Sequence, residues 1–453
     1  MQSLAQEIGR AVVTYAYNLV EPEAAEQQPQ YVLYDSGEYR RLKAKTANRE
    51  VATLFGKVTL WRRGYRFVQR DVNERTIFPL EMQLGLVGGA TPALACEVAR
   101  AMAEGGVSQQ LVLARLRQQF GVHWGVQKLR EVTRQVAETM EPNRRPHQAR
   151  QIVEWLRQAT ESSGKTRPIL AVGRDGITLA DREHSDKYEF ATTGTITVYG
   201  RGQQGKLGPR LGTVYLGYTP ESGQATMTTE LTELLLEILR LWDGPLPQLL
   251  YLTDSGDQET KYFLNTLKKM KHPRTGERLS WQWIVDYYHA ALRLTKLGEA
   301  LFGAESHSYA SAWARRMRKL LKKPNGPFRV LHAAAAEKAR AGKLSAARED
   351  VYRLAYNYLR ARTRHMQYHD YRQRGLPIGS GVTEAACKTV FTQRLKLSGA
   401  RWSKPGAQVI LDLRVILLSG IWDDVYLTTI NSYNPSTLGV PTISSTLPSK
   451  KAA

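Results

Sequence analysis

Three acidic residues, far apart in the chain, carry the first chemical hint. Asp175 in ILAVGRDG and Asp254 in LLYLTDSGD each close an apolar run, and Glu384 heads a basic helical segment in GLPIGSGVTEAACKTVFTQRLKLSGARW. Two strand-end aspartates and one helical glutamate offer hard oxygen ligands, which select Mg2+ or Mn2+. Two such ions about 4 Å apart stabilise both the attacking and the leaving oxygen of a phosphodiester displacement, provided that carboxylates from different elements converge to hold them. Without cations the three charges repel one another, so the empty site is expected to be loosely held. Singly, each residue has a structural explanation. Asp-Gly after a strand is a turn signal, Asp254 or Asp257 would cap a helix beginning near Gln258, and a first-turn glutamate suits the helix dipole. The combination with basic flanks is what points to nucleic acid.

Further groups surround these three. WIVDYYHA contributes Asp286, a reserve metal ligand, and His289, which would orient a phosphate or close the site through a hydrogen bond. Lys388, one turn beyond Glu384, together with Arg394 and Lys396, is placed to hold the scissile strand. The composition agrees: lysine and arginine outnumber aspartate and glutamate 64 to 42, a net charge of +22, so a polyanionic partner is favoured over an acidic small substrate. A membrane partner is disfavoured because no apolar run approaches the roughly 18 residues of a span and the basic residues are dispersed. Only Cys96 and Cys387 are present, too few for a disulfide framework or a cysteine-rich zinc site. The N-terminal MQSLAQEIGR lacks a signal core, and a cytoplasmic, nucleoid-associated protein is expected.

The elements that must position these groups follow from periodicity. Residues 1–90 read as a helix to Val20, a polar EPEAAEQQPQ linker and a β-hairpin in VTLWRRGYRFV around Gly64. Residues 91–150 contain a candidate helix-turn-helix: Ser108 caps a helix with Val112, Leu113 and Leu116 inward, FGVHWG turns, and Val126, Leu129, Val132 and Val136 line a second helix. Its other face shows Gln127, Lys128, Arg130 and Arg134, suited to a DNA groove or to ordinary solvation. Residues 151–289 turn to α/β, with strands in RPILAVGRDG, GTITVYG, LGTVYLGY, LPQLLYLTD and SWQWIVDYYH and a helix burying Leu231, Leu234, Leu235, Ile238 and Leu241. Three strands, a helix, a strand, another crossing and a last strand is the element order of an RNase H-like sheet. Residues 290–370 read as an all-helical insertion, with Arg315, Arg316, Arg318 and Lys319 in WARRMRKLLKK as phosphate-binding candidates and a later stripe of Ala347, Val351, Leu354, Tyr358 and Ala361 inward. Residues 371–428 give C-terminal helices beside the sheet, and the Ser/Thr/Pro-rich 429–453 a disordered tail.

VDYYHA and LPIGSGVTEAACK, followed by QRLKLSGARW, are the motifs by which the segment from Arg167 to Tyr426 resembles the ISKra-type transposases of bacterial insertion sequences, relatives of the Mutator-like group. The similarity extends more weakly to TLFGKVTLWRRGY, FPLEMQLGL and the helix-turn-helix. It implies an RNase H-like catalytic domain with a DDE triad on Asp175, Asp254 and Glu384, an all-helical insertion between the second Asp and the Glu, and Asp286 and His289 in the Asp-x-x-His motif of the group. Two departures stand out. Paired cysteines that follow the Arg-x-x-Tyr hairpin in family members are missing from YRFVQRDVNERTIFPL, so no zinc is inferred, and Asp254 stands in Asp-Ser-Gly where Asp-Gly is more usual.

The expected function is thus a Mg2+-dependent DDE transposase that binds terminal inverted repeats, pairs two ends as a homodimer, and cuts and joins double-stranded DNA. Two alternatives remain open on sequence: a transposase-derived DNA-binding protein without catalysis, and a structure-selective RNase H-like nuclease that cuts without joining.

Overall fold

A computed structural model of the chain describes residues 2–21, 27–34, 37–43, 46–68, 76–180, 188–303, 307–432 and 442–443. The chain divides into two compact units, one of residues 1–144, 412–417 and 421–453, the other of residues 145–411 and 418–420.

The first unit begins with α1 (Gln2–Leu19) and continues through β1 (Tyr31–Tyr34), β2 (Gly37–Arg41), β3 (Thr46–Thr53), β4 (Gly56–Arg62) and β5 (Tyr65–Phe67). The hairpin expected around Gly64 does not form. β4 pairs with β3 across a turn at Gly56, whose φ of 101° suits glycine, while β5 pairs with β2 in another sheet. Arg63 and Gly64 therefore carry the chain from one sheet to another, and a Cβ at Gly64 would lie 2.8 Å from Thr76. After α2 (Pro79–Gln83) and α3 (Pro92–Ala103), α4 (Gln109–Phe120) starts where Ser108 Oγ accepts from Leu111 N at 3.1 Å and stops at Gly121 in the left-handed conformation. Val112 and Leu116 are buried, as are Leu129, Val132 and Val136 of α5 (Val126–Glu161). α5 runs for 36 residues through Pro142 and Pro146, so the boundary expected at residue 150 falls inside a helix.

The second unit is built on one five-stranded sheet of β6 (Ile169–Ala180), β7 (Tyr188–Tyr199), β8 (Arg210–Tyr218), β9 (Gln248–Thr253) and β10 (Trp281–Val285), in the order β10-β9-β6-β7-β8. β6, β7 and β8 are antiparallel neighbours; β9 and β10 run parallel to β6. α6 (Ala225–Leu241) buries Leu231, Leu234, Leu235 and Ile238. Leu241 of the expected stripe is exposed at the end of the helix. α7 (Asp257–Asn265) links β9 to β10.

A helical stretch then follows: α8 (Tyr287–Phe302), α9 (His307–Leu321), α10 (Gly326–Ala341), α11 (Ala346–Ala361) and α12 (Tyr368–Gln373). α11 turns a different face inward from the one expected. Tyr352, Ala355 and Leu359 are buried, while Ala347, Val351, Leu354 and Ala361 are exposed. Both stripes are apolar at helical spacing, and the small Ala355 stands in the buried one. The glutamate segment forms α13 (Gly381–Ala386), a π-helical turn (Cys387–Thr392) and the short α14 (Gln393–Leu395).

α15 (Lys404–Leu418) and α16 (Trp422–Ser432) end the ordered helices. Sequence grouped residues 371–428 with the sheet, but α16 packs in the first unit. Trp422 Nε1 donates to Cys96 Sγ at 3.3 Å, Tyr426 hydroxyl to Pro92 O, and Asn143 to Thr429 at 3.1 Å. Of the tail expected to be disordered, Thr429–Ser432 complete α16 and Thr442–Ile443 pair with β1; the remainder lies outside the described residues. Among the described residues no single helix is long and apolar enough to cross a membrane.

Candidate active site

The parallel register sets the site. The last pair in register between β6 and β9 is Gly173 with Leu252, and between β9 and β10 Thr253 with Val285. Asp175 and Asp254 each stand two residues beyond the first of these pairs, and Asp254 and Asp286 each one beyond the second. The three aspartates thus occupy one level across three adjacent parallel strands, at the carboxyl edge where open α/β sheets place their ligands. Asp175 is not at the end of its own strand, as its Asp-Gly sequence suggested. β6 continues to Ala180 because β7 goes on pairing with it, Asp175 facing Thr193. Gly176 is needed for this, since a Cβ there would lie 2.1 Å from the Phe190 ring.

Glu384 reaches the same region because α13 docks closely on the sheet. A Cβ at Gly173 would lie 1.9 Å from Thr383 Oγ1, and the buried Thr383 hydroxyl is hydrogen-bonded to that of Thr195 at 2.8 Å. One turn on, Cys387 Sγ donates to Asp175 Oδ2 at 3.4 Å. Burial, reinforced by Asp175, pushes the Cys387 thiol far above its ordinary range, so it stays protonated. Burial also raises the Asp175 carboxyl, and the charge of Asp254 adds to the rise, while the Gly176 amide at 2.7 Å opposes it. The two aspartates therefore act on each other electrostatically.

Asp286 has a different part. It is fully buried and caps α8, accepting from Tyr288 N at 2.5 Å and His289 N at 2.9 Å through Oδ1, and from Ser380 N through Oδ2. With Tyr287 N donating to Ile378 O at 2.8 Å, this clips the loop before α13 to the start of α8. Burial alone would raise its pKa, but the donors at His289 and Ser380 outweigh burial and hold it down to about 2. His289 Nδ1 lies 3.6 Å from Asp286 Oδ1 and 3.5 Å from Glu384 Oε1, long for hydrogen bonds. Asp286 is the larger influence holding the imidazole above its usual pKa, against burial, with Asp254 and Glu384 adding to it. Among the described residues, the set whose donor atoms lie within 4.8 Å of one another is Asp286, His289 and Glu384, not the expected triad. The triad shares one electrostatic neighbourhood without being drawn to that distance.

Two groups that sequence reading did not assign to the site belong to it. The Asp254 turn is held from the helical stretch: Tyr358 hydroxyl donates to Asp254 O at 2.7 Å, and Arg362 donates to Ser255 O at 2.8 Å and to Ser255 Oγ. Arg293 and Arg362 stack on the Tyr358 ring at 4.8 and 4.2 Å, and Ser255 takes a φ of 62°. A contact spanning 104 residues leaves no local signal. Glu259, buried in the first turn of α7, packs over Gly256, where a Cβ would lie 2.4 Å from Glu259 Oε2 and 3.6 Å from Asp254 Oδ1. Burial, with the charge of Asp254, raises its pKa to about 7. The nearby acids in TDSGDQE were the available clue.

The basic candidates divide. Arg315, Arg316, Lys319, Lys388 and Lys396 are exposed. Lys128 pairs with Glu131 at 3.0 Å, Arg134 with Glu138 at 2.6 Å, and Arg130 donates to Gln109 at 3.0 Å. Arg318 is tied to Thr295 at 2.5 Å. Arg394, expected to hold the scissile strand, is instead buried with its guanidinium 5.0 Å from the Trp402 ring centroid, and so is not displayed to a DNA strand.

In comparisons with known proteins, no family model matches the chain and no curated protein matches it.

Proposed function

We propose that the chain is a DDE transposase with an RNase H-like catalytic unit, cutting and joining double-stranded DNA at the terminal inverted repeats of an insertion sequence. The observation that carries this reading is that Asp175 and Asp254 stand at one level of the sheet while the charges of Asp175, Glu384 and Asp254 all act on the Cys387 thiol, in a chain of net charge +22. The element order of the second unit, three antiparallel strands, a helix, two parallel strands and a helical stretch before the glutamate, supports the same assignment. A donor set of carboxylate oxygens from two strands and a helix fits Mg2+ or Mn2+. When bound, two such ions stabilise the attacking and leaving oxygens of an in-line displacement.

The chain's own groups do the rest. Asp175 and Asp254 fix one side of the site from the sheet, and Glu384 closes it from α13, half-exposed at 43% of its side chain. Asp286 holds α8 and the Ser380 loop in place, so that His289 presents its imidazole beside Glu384, where a phosphate oxygen would pass. Exposed Lys388 and Lys396 border the same segment and hold the strand electrostatically. Water attacks first; the freed 3'-hydroxyl then attacks target DNA, exchanging one phosphodiester for another without an external energy source. α4 and α5, with Lys128, Arg130 and Arg134, are assigned to repeat recognition.

The test is an incubation of purified protein with duplexes carrying the sequences that flank its coding region. Mg2+-dependent nicking at short inverted repeats, followed by joined products, is expected. Cleavage of any branched duplex without joining would favour the nuclease reading, and binding without cleavage a catalytically silent derivative.

A further inference from the structure

α1 is apolar on two opposite faces, and only one of them is used. Val13 and Tyr17 pack against the cluster of Val51, Val58, Leu60 and Leu80, the Phe55 ring lies where a Cβ of Gly9 would stand, and Asn18 bonds the edge of β4 through Thr59 O at 2.9 Å and Trp61 N at 2.7 Å. The other face displays Leu4, Ile8, Val12, Tyr15 and Leu19, exposed by 61, 57, 59, 68 and 62%. At 100° per residue these five fall within an arc of about 80°, a single seam along the helix.

We propose that this seam is a docking surface for a second copy of the chain, with two α1 helices packing antiparallel about a two-fold axis. The order of side chains along it argues for that occupant. Read from either end, the seam runs leucine, a large side chain, Val12 near the centre, a large side chain, leucine. An antiparallel partner therefore sets Leu4 against Leu19 and Ile8 against Tyr15, each contact made twice as an isologous interface requires. Five side chains of this size and exposure offer at most on the order of 600 Å² per helix, so that complete burial in the pair, about 1,200 Å², would be needed to reach the lower bound for a specific complex.

Charge selects against the other partners. In a chain of net charge +22, α1 carries one acid and one base, Glu7 and Arg10. It lacks the basic rim that a helix lying on DNA phosphates or on anionic lipid uses. The inference is independent of the proposed catalysis, because it is read in protein alone.

The experiment is a mass measurement by sedimentation equilibrium on the full chain without DNA or added metal, at tens of micromolar, for the wild type and for Ile8→Glu/Tyr15→Glu. Both substituted positions are exposed, so circular dichroism and the melting curve should be unchanged. The expected result is a twofold higher mass for the wild type than for the variant. A monomeric wild type, or a variant that remains dimeric, overturns the proposal. So does wild-type flotation with phosphatidylcholine–phosphatidylglycerol vesicles that the variant loses, since the seam would then be a lipid contact. Mild oxidation gives an independent reading of register. Leu4→Cys/Leu19→Cys should yield a covalent dimer and either single variant none; cross-linking by the single variants would contradict the antiparallel arrangement.

Discussion

The acidic edge of the sheet and the basic helix surfaces hold charge in opposite ways. At the edge, each aspartate is held both by its own neighbours and by a distant segment: Asp175 by the Gly176 amide and the Cys387 thiol, Asp254 by the Gly256 amide and the turn that Tyr358 and Arg362 pin, Asp286 by amides of α8 and of Ser380. On the helices, Lys128, Arg134 and Lys296 pair with glutamates three or four residues away, and Arg315 and Lys319 stand exposed. The first arrangement is singular and the second is redundant. Position decides the worth of an acidic residue here, while number decides the worth of a basic one.

That contrast should appear first in catalysis. Asp175→Ala, Asp254→Ala or Glu384→Gln should each reduce strand cleavage by about a thousandfold or more while DNA affinity changes little, as measured by nicking and gel-shift assays on one substrate. Tyr358→Phe, which removes the donor to Asp254 O and the acceptor for Ser255 Oγ, should lower the cleavage rate about tenfold with DNA affinity preserved. Single changes Arg315→Ala or Arg316→Ala should weaken binding only a few-fold and reduce the slope of log affinity against log salt by about one, as expected for one phosphate contact each. If one such lysine or arginine proved as costly as Glu384, the contrast would fail.

Stability sharpens the comparison with smaller effects. Asp286 has a folded pKa depressed to about 2, so its contribution is complete above the ordinary aspartate range and is lost as pH falls toward 2. Asp286→Asn should cost about 2 kcal/mol at neutral pH and flatten the acid limb of the unfolding profile. Glu259 has the opposite sign. Its folded pKa is raised to about 7, so ionising it lowers stability as pH rises from the ordinary glutamate range through 7. Glu259→Gln should therefore stabilise the protein at pH 8 by about 1 kcal/mol or more and leave it little changed at pH 5, by denaturant titration.

Local pattern made much of the sheet unit legible. Three of its five strands are β-branched runs and the other two are apolar ones, and Ser108 and Gly121 mark both ends of α4. Reading failed where a local signal competed with a distant partner. Asp175-Gly176 looks like a turn, but pairing with β7 keeps it extended. A boundary is expected at residue 150, yet α5 runs through it to Glu161. In α11 two apolar stripes compete, and packing selects Tyr352, Ala355 and Leu359 over the one that begins at Ala347. Arg394, read as a strand contact from its charge alone, is buried beside Trp402. The Tyr358 clamp on Asp254 joins segments 104 residues apart and has no sequence signature.

Two acidic sets compete as the divalent-ion site: Asp175, Asp254 and Glu384, as proposed, and the tighter cluster of Asp286, His289 and Glu384. Mn2+ titration followed by electron paramagnetic resonance separates them, comparing the wild type with Asp175→Asn, Asp254→Asn, Glu384→Gln and His289→Ala. Loss of saturable Mn2+ binding in each of the first three, with binding largely retained in His289→Ala, is the result predicted. Binding that survives both aspartate changes and disappears with His289 would contradict it.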